Sequence, residues 1–100
     1  MKFYKNLYVG ETIKNPNKVK WKLRLNAVPP NVYVIALAKG RDQLEIYHCG
    51  FLRQKYYKKY SPYIIGISRG YEEAVDMVVK ITQEALDKNG SPDIKKFLFS

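Results

Sequence analysis

A run from Arg53 to Tyr63, Arg53-Gln54-Lys55-Tyr56-Tyr57-Lys58-Lys59-Tyr60-Ser61-Pro62-Tyr63, interleaves cations with tyrosines. Cations neutralise phosphates and aromatic faces stack on unpaired bases, so this pattern suits single-stranded nucleic acid. Its candidate contact residues are Arg53, Lys55, Tyr57, Lys58 and Lys59. A second cluster, Lys18, Lys20, Lys22 and Arg24, surrounds Trp21. The competing reading is packing: on an amphipathic helix the tyrosines form the buried stripe and the lysines a solvated face. The glycine-aromatic core of the RNA recognition motif is absent.

A further candidate is the strand-to-helix turn Gly66-Ile67-Ser68-Arg69-Gly70-Tyr71 ahead of an apolar-periodic stretch. Helix N-termini present free N–H groups and partial positive charge, so such a turn suits a phosphate or carboxylate, with Ser68 donating a hydrogen bond and Arg69 adding charge. Glu72 and Glu73 oppose this, since they fall in the first turn and complement the dipole themselves. Cys49 follows His48 at the end of an expected strand. A thiol near a helix start can become nucleophilic, but adjacent strand residues face opposite sides, which denies Cys49 a base in His48. If strands 44–49 and 63–67 are parallel neighbours, His48, Cys49, Ser68, Arg69 and Gly70 line one pocket at their ends.

One His and one Cys cannot supply the four N/S ligands of a structural zinc site. Neither the glycine-rich dinucleotide fingerprint nor the phosphate-loop Lys-Ser/Thr pair occurs, so no cofactor and no catalytic residue is assigned.

The chain has 100 residues and a formal charge of +9. Residues 1–69 hold 14 Lys/Arg against three acids, whereas residues 70–100 hold four against six. The basic surplus therefore belongs to the first two thirds and favours an anionic partner. A lone cysteine excludes an intramolecular disulfide, and the start Met1-Lys2-Phe3-Tyr4-Lys5-Asn6 has no apolar stretch of the signal-peptide kind. The longest apolar run, 32–38, is too short to cross a bilayer. The expectation is a single soluble cytoplasmic domain over 1–100, without membrane insertion.

Phe3–Val9 reads as a strand ending at Gly10. Residues 18–25 admit two readings. Their strict alternation describes a strand with one wholly basic face. Asn15-Pro16, however, is a helix start, with Asn as cap and Pro at the first helical position, and Lys, Leu and Arg are good helix formers. The helix is preferred. Val32–Ala38 is a central strand buried on both faces, paired through the turn 39–42 with a strand 44–49. Phe51–Tyr60 reads as a short helix with Leu52, Tyr56 and Tyr60 at i,i+4 spacing, and Tyr63–Ile67 as a buried strand. Tyr71–Lys88 is an amphipathic helix with Ala74, Val78, Ile81 and Ala85 as its stripe and Asn89-Gly90 as its stop. Ile94–Phe99 is a short edge strand or a docked tail.

The order β-α-β-β-α-β-α(-β) describes a small α/β or α+β domain with a mixed sheet and helices packed on it. A ferredoxin-like split β-α-β with helices on one face is the alternative. Three functions accept this chain. The leading one is a non-catalytic binding module for an anionic partner, nucleic acid or an acidic protein. The second is a small ligand-binding protein or enzyme using the pocket above. The third is a protein–protein module or homodimer, given the tyrosines that enrich interface hot spots.

Overall fold

The computed structural model describes residues 2–25, 27, 31–54 and 59–99. Four strands, β1 (Lys2–Val9), β2 (Val32–Leu37), β3 (Leu44–His48) and β4 (Tyr63–Arg69), form one mixed sheet in the order β1-β4-β2-β3. β1 runs parallel to β4, and β2 is antiparallel to both β4 and β3. Among the described residues three α-helices accompany it: α1 (Pro16–Arg24), α2 (Tyr71–Asn89) and α3 (Ile94–Leu98). The class is α+β.

Strand alternation sorts the core into two layers. On one face, Val32, Val34, Ala36, Ile64 and Ile67 pack with Val19 and Leu23 of α1. On the other, Ile35 and Ile65 pack with Ala74, Met77, Ile81 and Ala85 of α2 and Ile94 and Leu98 of α3. Helices on both faces, with β1 at the sheet edge, depart from the one-sided ferredoxin-like alternative.

Residues 18–24 are helical, because the local start signals outweigh the alternating pattern. Pro16 opens α1, and the Lys18 N–H donates to Asn15 Oδ1 at 3.1 Å. Lys22 and Arg24 lie in the last turn, where cations complement the helix dipole.

The β2–β4 ladder shifts register between Ile35 and Ala36, leaving Ile65 as the extra residue. The bulge turns Ile65 and Gly66 successively toward α2. A Cβ on Gly66 would lie 2.4 Å from Met77 Sδ and 3.3 Å from the Tyr8 carbonyl oxygen. This close approach seats Met77 in the core beside Ala74, Ile81 and Ala85, while Val78 of the expected stripe is partly buried against the same layer.

Two further segments differ from expectation. Residues 49–53 form a 3₁₀ turn ending at the extended Gln54, in place of a continuous helix from Phe51 to Tyr60. Cys49 and Leu52, three apart, are the buried pair, which matches the three-residue repeat of that helix. Residues 55–58 lie outside the described ones. The last element is a docked helix, not a strand. Asp42 in the β2–β3 turn accepts the Lys95 N–H at 2.7 Å. The Tyr4 hydroxyl donates to the Leu98 carbonyl at 3.0 Å, while Phe99 meets the Tyr4 and Tyr63 rings edge-on.

Replacing Gly66 with Val should destabilise the protein by about 1–3 kcal/mol, the usual cost of overpacking a filled core. Urea unfolding followed by far-UV circular dichroism checks this. A midpoint equal to the parent's would contradict the close packing of α2 on β4.

Candidate functional site

β1 and β4 are parallel neighbours whose following helices leave to opposite faces, α1 to one and α2 to the other. Such a divergence opens a crevice outside the strand carboxyl ends, the usual ligand position in open sheets. Here the Gly10 N–H donates to the Ile67 carbonyl at 2.9 Å, closing the ladder just below the opening. Above it, the Glu73 carboxylate of α2 accepts the Thr12 hydroxyl at 3.0 and 3.1 Å and the Arg69 N–H at 2.8 Å. Gly10 leaves room for this carboxylate, since a Cβ there would fall 1.9 Å from Glu73 Oε1.

This latch divides the crevice by charge. The half toward α2 has a volume of about 760 Å³. Its wall carries Glu11, Glu72, Glu73 and Asp76 against Arg69 and Lys80. Nearby, the Tyr8 hydroxyl donates to Glu84 at 2.9 Å, and burial, followed by that hydrogen bond, pushes its pKa well above the ordinary tyrosine value.

The half toward α1 is a groove of about 380 Å³ with Lys14, Lys18, Lys22 and Arg69 around it and, among the described residues, no acid in its lining. Its apolar base comprises the buried Ile13, Val19 and Val32. Register explains the presence of Arg69: it pairs with Val32, whose side chain belongs to the α1 layer. Among the described residues, no ion pair engages any of these four cations.

The outer surface of α1 continues the basic character. At about 3.6 residues per turn, Trp21 falls opposite the buried pair Val19 and Leu23. It is 65% exposed, and Leu25, one turn on, is 60% exposed. Lys18 and Lys22 flank Trp21 on the groove side. Lys20 and Arg24 flank it on the other, standing 5.5 and 4.9 Å from the Phe3 ring centroid. The helix thus displays a tryptophan crest with two cations on each side. It does not display the single basic face that a strand would have given.

The pocket expected from His48, Cys49, Ser68, Arg69 and Gly70 is not assembled. β2 lies between β3 and β4, so the strands 44–48 and 63–69 share a direction but are not neighbours. His48 and Ser68 both oppose Tyr33, on the α2 face, while Cys49 belongs to the α1 layer. His48 Nδ1 accepts the Gly50 N–H at 3.0 Å and its ring meets Tyr33 edge-on. Ser68 is fully buried, with its hydroxyl 3.4 Å from the Gly70 carbonyl. Gly70 adopts φ +79° as the residue preceding α2. Only Arg69 and Gly70 of the five reach a crevice, and it is the one between β1 and β4.

Of the basic-aromatic run, Lys55, Tyr57 and Lys58 lie outside the described residues. Arg53 is exposed, and Lys59 stands 5.5 Å from the Tyr60 ring centroid, which also receives Lys39 at 3.9 Å. Sequence reasoning missed Lys14, Thr12 and the role of Glu73. Lys14 carried a usable signal, standing four residues before Lys18, but the loop between them hid the alignment. Among the described residues no three His, Cys, Asp or Glu side chains converge as metal ligands. No helix there is long and apolar enough to cross a membrane.

Burial pushes the Cys49 thiol above its ordinary pKa, with Arg53 opposing the shift only in part. A thiol that is both protonated and 6% exposed is a poor nucleophile. Cys49 should therefore resist a maleimide or disulfide reagent at neutral pH and react on addition of denaturant. Rapid labelling of the folded protein would contradict its placement beside Val32 and Leu52. Comparison of the chain with protein-family models, with curated proteins and with solved structures finds no match.

Proposed function

We propose that this protein is a non-catalytic binding module that holds single-stranded nucleic acid along α1. The observation that carries this reading is Trp21, largely exposed at the crest of a helix with Lys18 and Lys22 on one side and Lys20 and Arg24 on the other. A solvated tryptophan forgoes the burial that usually stabilises so large a side chain. Its indole face offers a stacking platform for an unpaired base, while cations on both flanks meet the phosphates on either side of that base. An acidic protein would satisfy the cations and bury Trp21 as an interface anchor, so competition with polyglutamate separates that reading from this one. The catalytic version of the pocket reading loses its support, because His48 accepts a backbone N–H and Cys49 is buried.

Binding of a fluorescently labelled single-stranded oligonucleotide, followed by anisotropy across a salt series, tests the reading. Affinity should fall linearly in logarithmic coordinates as salt rises. The double variant Lys18→Gln/Lys22→Gln should lower the magnitude of that slope by about 1.4, roughly 0.7 for each lost phosphate contact. Trp21→Ala should weaken binding by about 1–3 kcal/mol with the slope unchanged, since stacking releases no counterions. Affinity insensitive to salt, or a polyglutamate chain binding as tightly as the oligonucleotide, would overturn the nucleic-acid reading.

A further inference from the structure

We infer that the groove between α1 and the end of β4 takes a terminal phosphate, the monoester at the end of a nucleic-acid strand, in preference to an internal phosphodiester. The inference rests on the binding reading above and assigns that surface its end specificity. Three separate elements supply the groove with charge: Lys14 from the β1–α1 loop, Lys18 and Lys22 from α1, and Arg69 from β4. A volume of about 380 Å³ falls within the roughly 300–1,000 Å³ of small-ligand sites, whereas a continuous strand needs an open track. A monoester carries about −1.5 to −2 at neutral pH, against one charge for a diester. The second charge is worth most where several cations surround one concave space.

The arrangement does not depend on the α1 N-terminus, whose capping acceptor Asn15 is already engaged by Lys18 N–H. Arg69 presents a planar fork suited to two phosphate oxygens at once. Its backbone N–H is committed to Glu73, and the Thr12 hydroxyl holds the same carboxylate. The latch holds the acid at the rim on Thr12 and the Arg69 N–H, and among the described residues the groove lining carries no acid of its own. Lys18 and Lys22 border both the groove and the Trp21 crest. A strand whose terminal phosphate is seated beside Arg69 therefore leads its neighbouring base toward the indole.

Three single-stranded oligonucleotides of one sequence, bearing a 5′-phosphate, a 3′-phosphate or hydroxyls at both ends, are compared by competition against a labelled strand. One phosphorylated form should bind about tenfold tighter than the hydroxyl form, as expected for a charge-assisted bidentate contact. Arg69→Gln should bring that ratio to within about twofold, and Lys14→Gln, in an exposed loop, should reduce it as well. Lys20→Gln, on the far side of Trp21, should weaken both forms together and preserve the ratio. Equal binding of all three oligonucleotides would overturn the end preference and leave the nucleic-acid reading intact. A ratio unchanged by both Arg69→Gln and Lys14→Gln would remove the groove as its cause. Failure of every oligonucleotide to bind would remove the underlying reading and this inference with it.

Discussion

The parallel pairing of β1 with β4 joins the first described strand to the last, and the proposed binding surface depends on it. Lys2 pairs with Tyr63 and Val9 with Ile67, so residues far apart in sequence end at the same height of the sheet. Each strand then hands over to a helix on a different face. Arg69 is thereby brought level with the β1–α1 loop, and Glu73 meets Thr12 across the opening. The pairing also makes β4 a central strand with ladders on both sides. Its core residues Ile64, Ile65 and Ile67 are fully buried accordingly. The bulge at Ile65, where the β2–β4 ladder shifts register, and the missing side chain at Gly66 let α2 approach closely.

Charge separation across the crevice follows from the same geometry. A protein with a formal charge of +9 gathers four acids around one half of the opening and none around the other. Glu73 is the dividing element, held by a side-chain hydroxyl and a backbone N–H rather than by the guanidinium of Arg69. Hydrogen bonds of this kind to a charged carboxylate are stronger than neutral ones. Arg69 lines both halves, and its register opposite Val32 gives it the α1 side of the sheet. Glu72 and Glu73 line the α2 half, and Glu73 reaches the shared rim through Thr12 and the Arg69 N–H.

Most elements were legible because their signals are local. The run from Val32, the long helix after Gly70 and the Asn15-Pro16 start each carry propensity, periodicity or capping within a few residues. Met77 joins the expected stripe because Gly66, on another strand, makes the room, and no property of the helix alone records that. The 3₁₀ turn at Cys49–Arg53 escaped a reading based on i,i+4 spacing, since its buried residues recur every three. Helix α3 is too short to announce itself: its N-cap Asp93 makes no side-chain capping bond, and Asp42, more than fifty residues earlier, accepts the Lys95 N–H. The basic cluster on α1 was visible, but its splitting into two flanks around Trp21 needed the helix to be chosen over the strand. The joining of Lys14 and Arg69 to Lys18 and Lys22 needed the strand order. The pocket drawn from His48 and Ser68 failed for the same reason: β2 intervenes, a fact of topology that local pattern does not encode.

Trp21 is the single tryptophan of the chain, so its own emission reports on the proposed docking surface without a label. Titration with a single-stranded oligonucleotide at low salt should quench that fluorescence saturably, through stacking of a base on the indole, and added salt should restore it. Emission that stays constant while the oligonucleotide is shown by anisotropy to be bound would contradict α1 as the surface that holds it.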